Sequence, residues 1–301
     1  MKRILKKLYD FSSSWTGTII IVLFIIFFVI QPFIIPSASM QNSLLIGDFL
    51  FAKKFSYGIP TPRFPLTNTK IFPDIFDNGH LLEGKRPQRG DIVIFLNPVN
   101  NNENYVKRCF ARGGDEVIYK DDAFYLHLSE GDEYIKNTYP SEKIVEIAGK
   151  LWVIDPYKQT YPGINYKQKA SDESLIFKRS LIETDNPSPF ILMSRRLMVA
   201  GQSAVGMSPI KIAEFDTDYN SIQFNAFYIK VPQDEFFMIG DNRDNSQDSR
   251  FFGSIPYKLI IGKPWFVYFS MDSNKIPRWE RIGKFVSTLD KKEYKEGELR
   301  E

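Results

Sequence analysis

Hydrophobic positions along this chain follow two regimes. From Ile19 to Ile30 they are contiguous, reading IIIVLFIIFFVI; beyond Pro36 they come in short bursts. Extended to Trp15–Ile35, the first run covers roughly 20 residues with one strongly polar member, Gln31, and no charge, a length that crosses a bilayer core as a helix. A helix satisfies its own backbone hydrogen bonds, as lipid requires. The pattern predicts a transmembrane helix over 15–35. The later bursts include Phe49–Ala52, Asp91–Leu96, Glu116–Tyr119, Leu151–Ile154, Phe224–Val231, Glu235–Ile239 and Trp265–Phe269. They are rich in Val, Ile, Phe and Tyr and are broken by Pro, Gly, Asn and Asp. No long segment among them repeats every 3.6 residues, so the prediction is a mostly-β domain.

The polar stretches between the bursts suggest an order of parts. Residues 1–14 form a short basic N-terminus, with Lys2, Arg3, Lys6 and Lys7. Basic residues before a membrane helix favour the cytoplasmic side, which leaves everything after Pro36 outside. A catalytic domain is expected over 36–120 and 222–273. The more polar stretch 121–221 reads as an inserted β-rich subdomain. Residues 57–88 look like an irregular excursion, and 274–301 like a charged, solvated tail. A cleaved secretory leader is the rival reading of the N-terminus, with Ser37-Ala38-Ser39 as a small-residue cleavage site. Its apolar core would exceed the usual span of about 7–15 residues.

Composition changes this picture little. A net charge of +3 over 301 residues gives no reason to propose nucleic-acid binding. The single cysteine, Cys109, cannot close an intramolecular disulfide. His80 and His127 are far apart in sequence and sit in no recognisable motif, so a histidine-based triad or metal cage has little support.

Three constellations have chemical potential. Pro36-Ser37-Ala38-Ser39-Met40 places a serine among small residues, where a substrate backbone can approach; such a serine needs a base. Lys107 lies in a strand-like stretch beside Tyr105, Val106, Cys109 and Phe110. Packed among apolar groups, a lysine is disfavoured in its charged form, and a neutral lysine is a competent general base. The bland alternative is a lysine whose tip reaches water. The run Gly240 to Arg250 fails as a calcium loop: Ser246 stands where an EF-hand loop has glycine, and Phe252 where it has glutamate. It reads instead as a turn-rich loop of acid–base pairs suited to orienting another side chain.

Together these stretches resemble the bacterial type I signal peptidases. The same order is kept by Leu44–Phe49, Arg89–Phe95, Tyr105–Arg108 and Gly240–Arg250 followed by Phe251-Phe252-Gly253. The likeness covers the anchor, roughly 33–115 and roughly 231–270, but not the detail of 121–221. It implies a membrane-anchored serine endopeptidase that cuts leader peptides from exported preproteins near the export machinery, at the outer face of the bacterial plasma membrane. By that resemblance Ser39 is the nucleophile and Lys107 the base. Ser246 orients the Lys107 amine, and Ser37 joins the Ser39 N–H in an oxyanion hole. Asp248 with Arg250, and Asp241 with Arg108, form supporting ion pairs. Phe33, Ile35, Met40, Leu44, Ile94, Tyr105 and Val106 fall where the family lines its substrate pockets. No metal or cofactor is implied. Two departures stand out: Ala38 replaces the commoner glycine, and Gln41-Asn42-Ser43 replaces a Pro-containing stretch.

Two other readings remain open from residues alone. Ser208-Pro209-Ile210-Lys211 has the S-x-x-K spacing of penicillin-binding proteins, but no K-T-G follows. A membrane-tethered binding protein of the same fold would be expected to lack the serine or the lysine, and both are present.

Overall fold

Residues 30–34, the end of the long apolar run, form a β-strand rather than the last turns of a helix. The computed structural model describes residues 2–64, 69–98, 100, 102–120, 123–165, 207–215 and 226–292. Helix α1 (Lys2–Ser12) is followed by α2 (Trp15–Phe24), capped by Ser14, whose hydroxyl accepts from the Gly17 N–H at 3.0 Å. A π-helical turn, Ile25–Val29, continues α2 before the chain extends. No helix of the described residues is long and apolar enough to cross a membrane. The expected helix over 15–35 is therefore shortened to Val29. An unbroken apolar run has no period that separates helix from strand. Pro32 lacks an N–H and disfavours helix at its predecessor, and the stretch finds a partner strand instead.

Numbered along the chain, the first strands are β1 (Ile30–Ile34), β2 (Asp48–Lys53), β3 (Gly58–Pro60), β4 (His80–Glu83), β5 (Ile92–Leu96) and β6 (Asn104–Arg112). Next come β7 (Glu116–Lys120), β8 (Ala123–His127), β9 (Ile144–Ile147), β10 (Lys150–Ile154), β11 (Ser208–Ile210) and β12 (Ala226–Lys230). The last are β13 (Glu235–Ile239), β14 (Ile255–Pro256), β15 (Ile260–Ser270) and β16 (Lys284–Phe285). The protein is thus mostly β, as the alternating bursts predict. One sheet runs β1-β2-β15-β5-β6-β13-β14, with β16 added to β15. A second runs β11-β12-β7-β8-β10-β9, and β3 pairs with β4 in the excursion. The second sheet holds the described strands of the 121–221 stretch, together with β7 and β12 from its flanks; residues 121–122, 166–206 and 216–221 of that stretch lie outside the described residues.

The run Ile92–Leu96 shows why these residues form a central strand. Alternate side chains point to opposite faces. Ile92, Ile94 and Leu96 pack with Leu50 and Val267, while Val93 and Phe95 pack with Cys109, Met238 and Ile255. A strand buried on both faces reads as continuous apolar sequence. A third cluster, with Phe110, Phe124, Phe227 and Phe237, joins the two sheets.

The stretch after 273 departs from expectation. Arg278, Arg281 and Asp290 are buried, and Val286 and Leu289 enter the same cluster as Met40 and Leu44. These five side chains anchor the stretch against the core as far as Asp290, so it is not a wholly solvated tail, although Lys291 and Lys292 are exposed. Glu293, Lys295 and Glu296, also assigned to the tail, lie outside the described residues.

Candidate active site

The serine loop is shaped by the chain that follows it. Residues Ala38–Met40 form a single 3-10 turn, and Gln41 N–H closes it on the Ala38 carbonyl at 2.9 Å. The N–H groups of a first helical turn have no acceptor within the helix. The Ser39 N–H is one of these. Ala38 is not among the residues with left-handed backbone, so the side chain there strains nothing; Asn42, with φ 73°, takes that conformation instead. Asparagine tolerates it better than most residues.

The Gly240–Arg250 run clamps this loop. Asn242 donates its N–H to the Ser39 carbonyl at 3.1 Å and its Nδ2 to the Ala38 carbonyl at 3.1 Å. Asp241 accepts from the Ser43 hydroxyl at 2.5 Å. A Cβ at position 240 would stand 2.2 Å from Ser246 Oγ and 2.5 Å from the Ser39 carbonyl oxygen, so only glycine allows this approach.

Lys107 reaches the same loop from β6. Its Nζ lies 2.5 Å from Ser39 Oγ and donates to it when charged; with a neutral amine the same contact has the Ser39 hydroxyl donating. Lys107 is 4% exposed, and its pKa is lowered to about 8. Burial is the largest cause; the opposing pull of Asp248 and the push of Arg250 follow. Serine and amine thus meet in the geometry of a nucleophile and its base. The Ser37 and Ser39 hydroxyl oxygens are 3.3 Å apart.

Two buried ion pairs brace this arrangement. Arg108, the neighbour of Lys107, grips Asp241 with Nε at 2.8 Å and Nη2 at 2.7 Å. Burial would raise the Asp241 carboxyl, but Arg108 and the Ser43 hydroxyl outweigh it and hold it low. Arg250 holds Asp248 with Nε at 2.8 Å and Nη2 at 3.0 Å, with the same balance of causes.

Ser39, Ser37 and Lys107 open into a cleft of about 660 Å³ between β1 and the start of β6. Of the residues expected to line a substrate pocket, Phe33, Ile35, Met40, Tyr105 and Val106 do. Leu44 and Ile94 do not: both are wholly buried in the cluster behind Ile35 and Met40. The expected bond from Ser246 to Lys107 is not made either. Among the described residues Ser246 Oγ has no hydrogen-bond partner; it is buried and packed over Gly240. His80 stacks on Tyr257, His127 bonds the Leu151 carbonyl, and Ser208 sits on β11; none lines the cleft.

Several site-shaping residues went unassigned from sequence. Ser43 and Asn242 hold the serine loop, as above. Arg281 donates to the Ser43 carbonyl at 3.1 Å and to Asp48 Oδ2 at 2.6 Å, and Asp290 approaches Arg108 at 3.5 Å. Asn242 and Asp48 lie inside recognised stretches, and their position there was the available signal. Arg281 and Asp290 lie in a charged segment that offered none.

Residues 8–269 match the model of a family described as "Signal peptidase, peptidase S26". A protein named Signal peptidase I from Helicobacter pylori is 45% identical over 306 aligned residues, covering 96% of this chain and 97% of that protein. The protein of that name from Buchnera aphidicola (subspecies Acyrthosiphon pisum) is 32% identical, over 82% of this chain and 71% of its own. That from Aquifex aeolicus is 30% identical, over 86% and 82%.

Proposed function

The chain belongs to the S26 family of signal peptidases and is a serine peptidase, and from that premise we propose that it removes N-terminal leader peptides from exported preproteins through an acyl-enzyme on Ser39. The observation that carries the mechanism is the 2.5 Å contact between Ser39 Oγ and a buried Lys107 amine. Lys107 takes the proton of the Ser39 hydroxyl as Oγ attacks the scissile carbonyl. It returns that proton to the leaving amine, then activates the water that hydrolyses the ester. The Ser39 N–H and the Ser37 hydroxyl face the developing oxyanion, and loss of one such donor typically lowers the rate by about 10²–10³.

The cleft suits an extended substrate. Pairing of β13 with β6 stops at Arg108, so Tyr105, Val106 and Lys107 have no β13 partner on that side among the described residues. β1 is the terminal strand of its sheet among the described residues. A peptide laid between two free edges gains main-chain hydrogen bonds, and its alternate side chains face one wall. Walls made of Phe33, Ile35, Met40, Tyr105 and Val106 leave room for small uncharged side chains. Cleavage follows Ala-x-Ala, with the middle residue pointing away.

The chain is held at the membrane by its N-terminal helix. Trp15, Ile19, Ile20, Leu23 and Phe24 are large, apolar and exposed, a contiguous surface that water disfavours. The ten residues of α2 and the five of the π-helical turn span about 22 Å, short of a hydrocarbon core of roughly 30 Å, so the crossing proposed here needs a locally thinned bilayer. The basic N-terminus stays in the cytoplasm and the β domain faces outward, where leader junctions of preproteins emerge. The test uses purified protein in detergent with a preprotein substrate. It is expected to cut at the leader junction, and the Ser39→Ala protein is expected not to; cutting by Ser39→Ala at the parent's rate would discard the mechanism.

A further inference from the structure

A second, small cavity, which shares Gln31 with the Ser39 cleft, lies beside the end of the N-terminal helix. Lys54, Thr61, Arg63 and Lys258 line it together with Gln31 and Gly79. Among the described residues that line it, three are cationic and none carries a carboxylate. Lys54 is 3% exposed and donates to the Phe27 carbonyl at 3.1 Å. An ammonium has three donors, so this contact leaves it capacity. Thr61 is also 3% exposed, and its buried hydroxyl has no hydrogen-bond partner among the described residues. Buried hydroxyls are nearly always satisfied, so an orphaned one beside buried cations asks for a partner.

The charge balance points the same way. Burial lowers Lys54 to about 8, and no acidic neighbour opposes it. Burial also lowers Arg63, outweighing Asp74. Asp74 itself accepts from the Gly79 N–H at 2.9 Å and pairs with Lys70 at 3.6 Å. An anion in this cavity would relieve desolvated positive charge.

We propose that this cavity binds a phosphate group, with one oxygen seated between Thr61 and Lys54 and the others facing Arg63 and Lys258 at the mouth. The enclosed volume of about 20 Å³ is the size of one oxygen atom, so the rest of the phosphate stays outside it. Lys258 is exposed at the mouth and able to meet it. Two sources share this chemistry: the phosphodiester of a lipid headgroup and free phosphate. The headgroup source rests on the membrane reading above, because Phe27 and Phe64 place the cavity against the helix end. Phosphate binding itself does not rest on it.

The experiment titrates the full chain in nonionic detergent with two probes, short-chain phosphatidylglycerol and inorganic phosphate, read by ³¹P line broadening. Lys54→Met, Thr61→Val and Lys258→Ala are compared with the parent. Loss of a charge-assisted hydrogen bond predicts about tenfold weaker binding for Lys54→Met. Thr61→Val keeps the shape and removes the hydroxyl, so it also weakens binding. Leader cleavage by all three is expected to stay near the parent rate, which separates this result from any failure of the Ser39 mechanism. Tighter binding of the lipid than of phosphate assigns the headgroup; equal binding assigns the free anion. Absence of binding by the parent at millimolar probe overturns the site. So does binding that is unchanged in the three variants or weakened only in Lys258→Ala. If Lys54→Met does not fold, Thr61→Val decides.

Discussion

Arg281 and Asp48 meet as a wholly buried ion pair across 233 residues of chain, with Arg281 Nη2 2.6 Å from Asp48 Oδ2. The same guanidinium donates to the Ser43 carbonyl, and Asp48 also accepts from the Ser270 hydroxyl at 2.7 Å. The segment after β15 thereby anchors the base of the loop that presents Ser39. Removing one partner leaves an uncompensated buried charge, which typically costs about 3–5 kcal/mol. Arg281→Ala is expected to lower stability by that order in urea unfolding. A variant as stable as the parent would mean that the pair is not braced as described.

The pH dependence follows from Lys107. A base acts when neutral, so kcat/KM should rise with pH through about 8, the value to which burial lowers this amine. Lys107→Arg should be inactive, because guanidinium stays charged. The measurement is kcat/KM from pH 6 to 10. A profile that falls across that range, or substantial activity in Lys107→Arg, would remove Lys107 from the mechanism.

The same burial predicts a stability effect. Lys107 binds its proton less tightly in the folded chain than in the unfolded one. Between about 8 and its ordinary value of 10.5 the unfolded state holds more protons, so stability rises with pH across that window. Below about 8 the full penalty applies. Lys107→Met is therefore expected to be more stable than the parent at pH 6–7, by roughly 1–3 kcal/mol. Equal thermal midpoints at pH 6.5 would argue that the amine is better solvated than its burial implies.

Ser246 gives a contrasting case. Its hydroxyl has no partner to lose, so Ser246→Ala should leave stability unchanged or raise it by up to about 1 kcal/mol. A clear fall in the thermal midpoint would reveal a bond that this structure lacks.

Specificity can be tested at Ile35, which lines the cleft and is 3% exposed. Ile35→Ala widens the wall and should relax the preference for alanine toward larger side chains one and three residues before the cut. It also removes core packing, at about 2–4 kcal/mol. The readout is kcat/KM on matched preproteins varied at those positions. An unchanged preference would remove Ile35 from the pocket.

Sequence by itself determined what is local. The β class was legible because short runs rich in Val, Ile, Phe and Tyr, bounded by Pro, Gly, Asn and Asp, are written within single strands, as in Ile92–Leu96. Ser39, Lys107 and the 240–250 run were legible because each sits in a short string of demanding residue types. Tertiary structure decided whatever depends on a distant partner. Ile30–Ile34 became a strand because β2 was there to pair with it, and an apolar run alone carries no such instruction. Leu44 and Ile94 went behind the cleft wall because the packing of Ile35 and Met40 put them there. Arg281 and Asp290 looked like a solvated tail because a charge reads as exposed until its counter-charge is known. Those counter-charges, Asp48 and Arg108, lie in strands far earlier in the chain, and only folding brings each pair out of water together.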